Sequence, residues 1–178
     1  MRFILIGAPG SGKSVVAREL SKSLHIPIIS IGKKIRELAE SGRGPESETA
    51  RAALEKGELV PDEMAMEILK ERLSEEDAQR GFLIDGMPRT LDEARLMNGM
   101  FSINKVFHLK VEPSLAFERL LRRGRSDDKP HLIQRRLDLH RGEIPGILNF
   151  YRGMGILVEV DAASSIQDAA REVMSKLQ

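Results

Sequence analysis

The first residues able to do chemistry lie at the seventh position. "GAPGSGKS", Gly7 to Ser14, follows a short apolar run and opens a helical pattern. Glycines here let the backbone wrap closely around phosphate oxygens, with N–H groups pointing inward. The pattern fits a phosphate-binding loop in full, and in the strand–loop–helix context it requires. Gly7, Ala8, Pro9, Gly10, Ser11, Gly12, Lys13, Ser14 and Val15 are therefore expected to hold a nucleoside triphosphate. Lys13 would reach the β- and γ-phosphates, and the Ser14 hydroxyl would ligate Mg²⁺.

A second constellation is "GFLIDGMPRT", Gly81 to Thr90. Asp85 ends an apolar run that reads as a buried strand. Its carboxylate would emerge at the carboxyl edge of a sheet, beside the phosphate loop, where it suits the water shell of Mg²⁺. Gly86 and Pro88 make a tight turn, and Arg89 points back over the same edge. A plain ion pair between Asp85 and Arg89 is the alternative that these residues alone leave open.

The third is "SIGKKIRE", Ser30 to Glu37. Lys33, Lys34 and Arg36 fall in the first turns of a helical pattern. Cations are unfavourable at that end, where free N–H groups and the macrodipole are already positive. An anion arriving at this spot resolves the conflict. Glu37 and Glu40 can balance the lysines. Further along, Arg119 and Arg123 share a helix face at i and i+4. Arg125 lies within the charged stretch "RGRSDDKP", and Arg136 follows it. His25, His108, His131 and His140 are scattered and suggest no site.

These residues must be positioned by elements that the periodicity makes visible. Brief Ile-, Val-, Leu- and Phe-rich runs at 2–7, 26–30, 81–85, 105–111 and 156–160 read as strands covered on both faces. Helical patterns lie between them at 13–24, 33–41, 47–56, 61–73, 90–98, 113–122, 131–141 and 145–154. A last one is "SSIQDAAREVMSKL", in which Ser165 and Asp168 are spaced as a capping pair. Alternating strands and helices predict a five-stranded parallel α/β sheet with right-handed crossovers. Two stretches break the alternation: 32–73, helical throughout, and 123–130, charged and without an apolar anchor. Both are expected to be mobile flaps on a rigid core.

Composition narrows the classes. The chain has 178 residues, a formal net charge of +1 and 31% charged residues, so one domain with a local basic site is expected rather than a general polyanion-binding surface. Absence of cysteine excludes disulfides and Cys-ligated zinc. No tryptophan and one tyrosine argue against a stacking platform for nucleic acid. No apolar stretch approaches membrane-spanning length, and the start is too short a run for a signal peptide. A soluble, cytoplasmic protein is expected, and nothing demands more than a monomer.

"GAPGSGKS", "GELVPDE" (57–63), "GFLIDGMPRTLDEA" (81–94), "GRSDD" (124–128), "RRL" (135–137) and "FYRGMG" (150–155) occur in the order and approximate spacing of the adenylate kinases. Over essentially its whole length the chain resembles the short-lid form of that family, with a lid a few residues shorter than usual. The resemblance implies a three-layer P-loop α/β/α fold, a flap at about 31–60 that holds a nucleoside monophosphate (NMP), and a lid at about 123–130. It implies an acceptor site of Ser30, Ile31, Arg36, Leu59, Val60, Gly86, Arg89 and Glu93. It places Arg119 at the ATP base, and Lys13, Arg89, Arg123, Arg125 and Arg136 around the transferring group. Asp127 and Asp128 match lid carboxylates that hold lid arginines. The family's "STGD" reads "SIGK" here, so Ile31 and Lys33 depart from it.

Glu93 stands where the family commonly carries a glutamine that reads the acceptor base. A carboxylate can only accept hydrogen bonds, which suits the paired donors of guanine better than adenine. Three arrangements are open to Glu93: protonated and glutamine-like, turned away towards solvent or a cation, or bound to guanine. The expected reaction is reversible, Mg²⁺-dependent transfer of the ATP γ-phosphoryl group to AMP, with relaxed base selectivity. The alternatives are a kinase for another NMP (GMP first, then CMP or UMP) and a P-loop ATPase whose acceptor site has drifted.

Overall fold

Short runs of Ile, Leu, Val and Phe that are apolar on both faces bury best between two helical layers. The computed structural model describes residues 1–163 and 165–177 and shows that arrangement. The strands are β1 (Arg2–Ile6), β2 (Ile28–Ser30), β3 (Phe82–Asp85), β4 (Lys105–Lys110) and β5 (Leu157–Asp161). All pair in parallel, in the order β2-β3-β1-β4-β5. The helices are α1 (Lys13–Leu24), α2 (Ile31–Ser41), α3 (Gly44–Lys56), α4 (Asp62–Ser74), α5 (Leu91–Met100), α6 (Pro113–Arg123), α7 (Pro130–Gly153) and α8 (Ile166–Ser175).

Alternate residues of the strands feed opposite layers. Phe3, Leu5, Leu83 and Phe107 pack with Val16 and Leu20 of α1 and Val173 of α8. Ile4, Ile6, Ile84 and Val106 pack with Leu69 of α4, Met97 of α5, and Ile147 and Tyr151 of α7. The connection leaving β1 runs on the α1 side, whereas those leaving its neighbours β3 and β4 run on the other. Carboxyl ends of strands at such a reversal open onto a crevice suited to a ligand. Both the 7–14 loop and Asp85 lie there.

Three details differ from the periodicity reading. The patterns at 131–141 and 145–154 are one helix, α7, with Pro145 inside it. Proline removes one backbone donor, whose usual acceptor would be the carbonyl of Arg141. Arg141 is exposed, so water can satisfy that carbonyl, while the buried stripe of Ile133, Leu137, Ile147 and Tyr151 holds the two halves in register. Second, the 124–129 connection has an anchor, and it is polar: the buried carboxylate of Asp128. Third, α2 starts two residues earlier than the pattern, directly from β2. Its cap Ser30 makes no side-chain capping bond, and its first turn holds no acid. The electrostatic conflict read in "SIGKKIRE" is therefore present in the fold.

Candidate active site

The 7–14 loop is held in shape from within and from behind. Ser11 N–H donates to the Ala8 carbonyl at 3.0 Å. Gly10 has φ +84°, and a Cβ there would meet the Ala116 carbonyl oxygen of α6 at 2.4 Å. Only glycine accepts both that backbone and that approach. Gly12 caps α1 without a side-chain bond, and no acid occupies the first turn, so the helix N-terminus offers its free amides to an anion. Lys13 Nζ donates to the Gly7 and Ala8 carbonyls at 2.7 and 2.9 Å. Burial pushes its pKa down to about 8; Asp85 opposes that shift, and Arg89 and Arg123 add to it.

Ser14 Oγ donates to Asp85 Oδ2 at 2.7 Å. Asp85 makes no ion pair among the described residues, so a plain bond to Arg89 is not what holds it. A hydroxyl and a carboxylate on one edge are hard oxygen donors of the kind Mg²⁺ takes alongside phosphate and water. No group of three His, Cys, Asp or Glu side chains is clustered for a metal among the described residues. That fits a cation held by one or two protein ligands rather than by a protein cage.

A cavity of about 640 Å³ opens over this edge. Nine lysine and arginine side chains line it against three carboxylates, in a chain whose net charge is only +1. The cations come from separate elements: Lys13 and Arg18 from α1, Arg36 from α2, Arg89 after β3, Arg119, Arg122 and Arg123 from α6, Arg125 from the 124–129 loop and Arg136 from α7. Burial, with Arg125 next, lowers the pKa of Arg36. Arg89 is exposed to the cavity but sits deep among protein atoms; desolvation lowers its pKa against the pull of Glu93 and Asp85. Such a cluster is costly without anions and favourable with them.

The arginines are restrained differently. Asp128, whose side chain is fully buried, takes Arg123 Nε and Nη2 at 2.8 and 2.7 Å and Arg136 Nη2 at 2.8 Å. It also accepts the Arg125 amide at 3.1 Å. Burial raises the pKa of Asp128, but Arg123 and Arg136 outweigh it and hold it at about 2. Asp127 adds a bond to Arg136 at 2.9 Å. Arg119 donates to the Ala162 and Ala163 carbonyls after β5 at 3.0 and 3.4 Å. Arg36 makes no side-chain hydrogen bond or ion pair among the described residues.

Most expected site residues line the cavity: Gly7, Pro9, Gly10, Gly12, Lys13, Ser14 and Val15, then Ser30, Arg36, Leu59, Asp85, Gly86 and Arg89, and the four arginines Arg119, Arg123, Arg125 and Arg136. Ala8, Ser11, Ile31, Val60 and Glu93 do not. Ser11 is buried inside the loop. Ile31 and Val60 belong to the apolar cluster behind the wall formed by Ile35 and Leu54. Glu93 turns inward, with Oε2 accepting from the Arg89 amide at 2.5 Å.

Several lining residues were not anticipated. Arg122 also lines the cavity. His140 lines the cavity, and burial, then Lys13, His108 and Arg89, push its pKa down to about 3, so it is neutral. Arg136, His140 and Ile144 recur at every fourth residue of α7, a signal that the sequence did contain. Glu58 pairs with Arg135 at 2.5 Å, and Gly57 packs on Leu132, where an added Cβ would meet the carbonyl at 3.2 Å. Residues following α3 thus touch the first turns of α7 across the cavity mouth.

The family model for adenylate kinase matches residues 5–156. A protein from Corynebacterium urealyticum named adenylate kinase is 36% identical over 99% of each chain. One of the same name from Thermobifida fusca is 34% identical over 99% of this chain and 98% of its own. A third, from Staphylococcus aureus, is 33% identical over 99% of each. That alignment runs over 217 positions against 178 residues here, so this relative carries stretches that the present chain lacks.

Proposed function

The chain belongs to the adenylate kinase family of phosphotransferases, and from that premise we propose that it transfers the γ-phosphoryl group of Mg·ATP reversibly to AMP, giving two ADP. The observation that carries this reading is the convergence of nine cations on one cavity, from the phosphate loop on one side and α2 on the other. A triphosphate alone would not need the α2 side.

The 7–14 loop and the N-terminus of α1 cradle the ATP phosphates, with Lys13 exchanging its loop carbonyls for phosphate oxygens. Arg119, steadied by two carbonyls, lies towards the ATP base. Ser14 and Asp85 would hold Mg²⁺, which when bound neutralises the phosphates and orients them. Arg36 and Arg89 grip the acceptor phosphate. The apolar wall of Ile35, Leu54, Leu59, Met87 and Ile144 receives its base.

In the step itself, an acceptor phosphate oxygen forms a bond to the γ-phosphorus as the bond from that phosphorus to the β–γ bridging oxygen breaks. The oxygen is already anionic near neutral pH, so no proton is removed. A neutral His140 beside Lys13 fits a site that works by position and charge rather than by acid–base catalysis. Arg123 and Arg136, fixed by Asp128, face the transferring group, and Arg125 approaches with them. Segments 31–60 and 123–130 act as the flap and lid that exclude water during transfer. Every group comes from one chain, so a monomer suffices. No described helix is long and apolar enough to cross a membrane.

The test is ATP consumption and ADP formation with Mg²⁺ and each of AMP, GMP, CMP and UMP, against a no-acceptor control. AMP should give the fastest turnover, with two ADP formed per ATP consumed. ATP consumption that is indifferent to every acceptor would overturn the reading in favour of an ATPase.

A further inference from the structure

Glu93 is a carboxylate that the transfer step leaves unused. It is 2% exposed and lies outside the cavity lining. A buried carboxylate is costly unless it is bonded and compensated. Its partner is the backbone of Arg89, whose N–H donates to Glu93 Oε2 at 2.5 Å. The bonding continues in both directions. The Glu93 amide donates to Thr90 Oγ1 at 3.1 Å, and the Thr90 hydroxyl donates to Asp62 Oδ2 at 2.8 Å. Arg89 Nε donates to the Gly86 carbonyl at 2.9 Å. Asp62 opens α4 and belongs to "GELVPDE"; the others belong to "DGMPRTLDEA". One run of bonds therefore stitches the two motifs together, and its far end is the guanidinium that faces the acceptor.

We infer that Glu93 is a positioning residue: its carboxylate fixes the Arg89 backbone, and through it the guanidinium on which acceptor and transferring phosphates meet, and it does not read the acceptor base. Base preference is then set by the apolar wall and by backbone groups, not by this side chain. The inference rests on the phosphoryl-transfer reading above.

Glu93→Gln keeps an oxygen to accept from the Arg89 amide, and Glu93→Leu keeps the volume without an acceptor. Both are compared with wild type for melting temperature, for KM and kcat with Mg·ATP and AMP, and for the activity profile over AMP, GMP, CMP and UMP. Glu93→Gln should stay within about threefold of wild type and leave the profile unchanged, rescuing what leucine loses. Glu93→Leu should lower kcat/KM about tenfold or more for every acceptor used, with the KM for Mg·ATP within about twofold. A shift of about tenfold in base preference by Glu93→Gln would overturn the inference in favour of base reading, and wild-type kinetics in Glu93→Leu would overturn it outright. If the leucine variant does not fold, Thr90→Val breaks the next link. It should lower turnover about threefold uniformly over the acceptors, and no loss or a base-dependent one would refute the inference. A wild type without acceptor-dependent ADP formation removes the kinase reading and this inference together. Normal wild-type turnover with an indifferent Glu93→Leu removes this inference alone.

Discussion

The two sides of the cavity hold their arginines in opposite ways. On the lid side, Arg123 and Arg136 share the buried Asp128, and Asp127 adds a further bond. On the flap side, Arg36 stands midway along α2, with burial and Arg125 both working against its charge. A guanidinium already fixed by carboxylates loses little freedom when a phosphate arrives, so it suits a brief, geometrically exacting charge. One without a partner gains the most from an anion, so it suits binding. Preorganisation and affinity are thus divided between the two sides.

Removing the residue common to both sides should have the largest effect. Lys13→Met is expected to lower turnover by about a hundredfold or more with little change in melting temperature, since charge stabilisation dominates in such sites. Near-normal transfer by this variant would leave no common anchor to compare against. Arg36→Ala comes next: KM for AMP should rise by roughly tenfold or more while KM for Mg·ATP and the melting temperature stay put, because the side chain has no protein partner to lose. A collapse in melting would mean that Arg36 is structural, and the contrast would fail.

On the lid side stability and turnover should fall together. Asp128→Asn sets an amide between two guanidiniums, and we expect kcat to drop about fivefold and melting to fall by roughly 5 °C. The stretch that lacks an apolar anchor is thus held by a buried carboxylate instead. The smallest effect is in acid. The Asp128 pKa is depressed from 3.8 to about 2, so its contribution to stability is complete above about pH 4 and is lost as pH falls towards 2. The melting gap between wild type and Asp128→Asn should therefore be constant near neutrality and close between those values. A gap that persists at pH 2 would place the stabilisation elsewhere.

The sheet and the phosphate loop were legible because each is encoded locally: a strand as a short run apolar on both faces, the loop as glycines at fixed offsets from Lys13. Ser165 likewise caps α8 by accepting from the Asp168 amide at 3.0 Å, as their spacing suggests. What escaped depends on partners distant in the chain. Pro145 reads as a helix end until the packing of Tyr151 and Ile147 is known. The lid looked unanchored because its anchor is an ion cluster joining residues from α6 to α7. Nothing near Glu93 in sequence says that its carboxylate faces inward, since the turn that brings the Arg89 amide to it is a matter of backbone geometry. His140 was within reach, one helical turn beyond Arg136.

The contact between Glu58 and Arg135 spans the cavity mouth, and both side chains are about half exposed. An ion pair in that setting is worth about 1 kcal/mol or less, which corresponds to roughly a fivefold change in a population ratio. As a catch between flap and lid helix it is therefore weak by construction. In the proposed flap-and-lid reading it would bias empty molecules towards closure without trapping them there, so substrates could still enter and two molecules of ADP could still leave. Salt should loosen this catch before it loosens the buried Asp128 cluster, so the resting balance between open and closed molecules would respond to ionic strength.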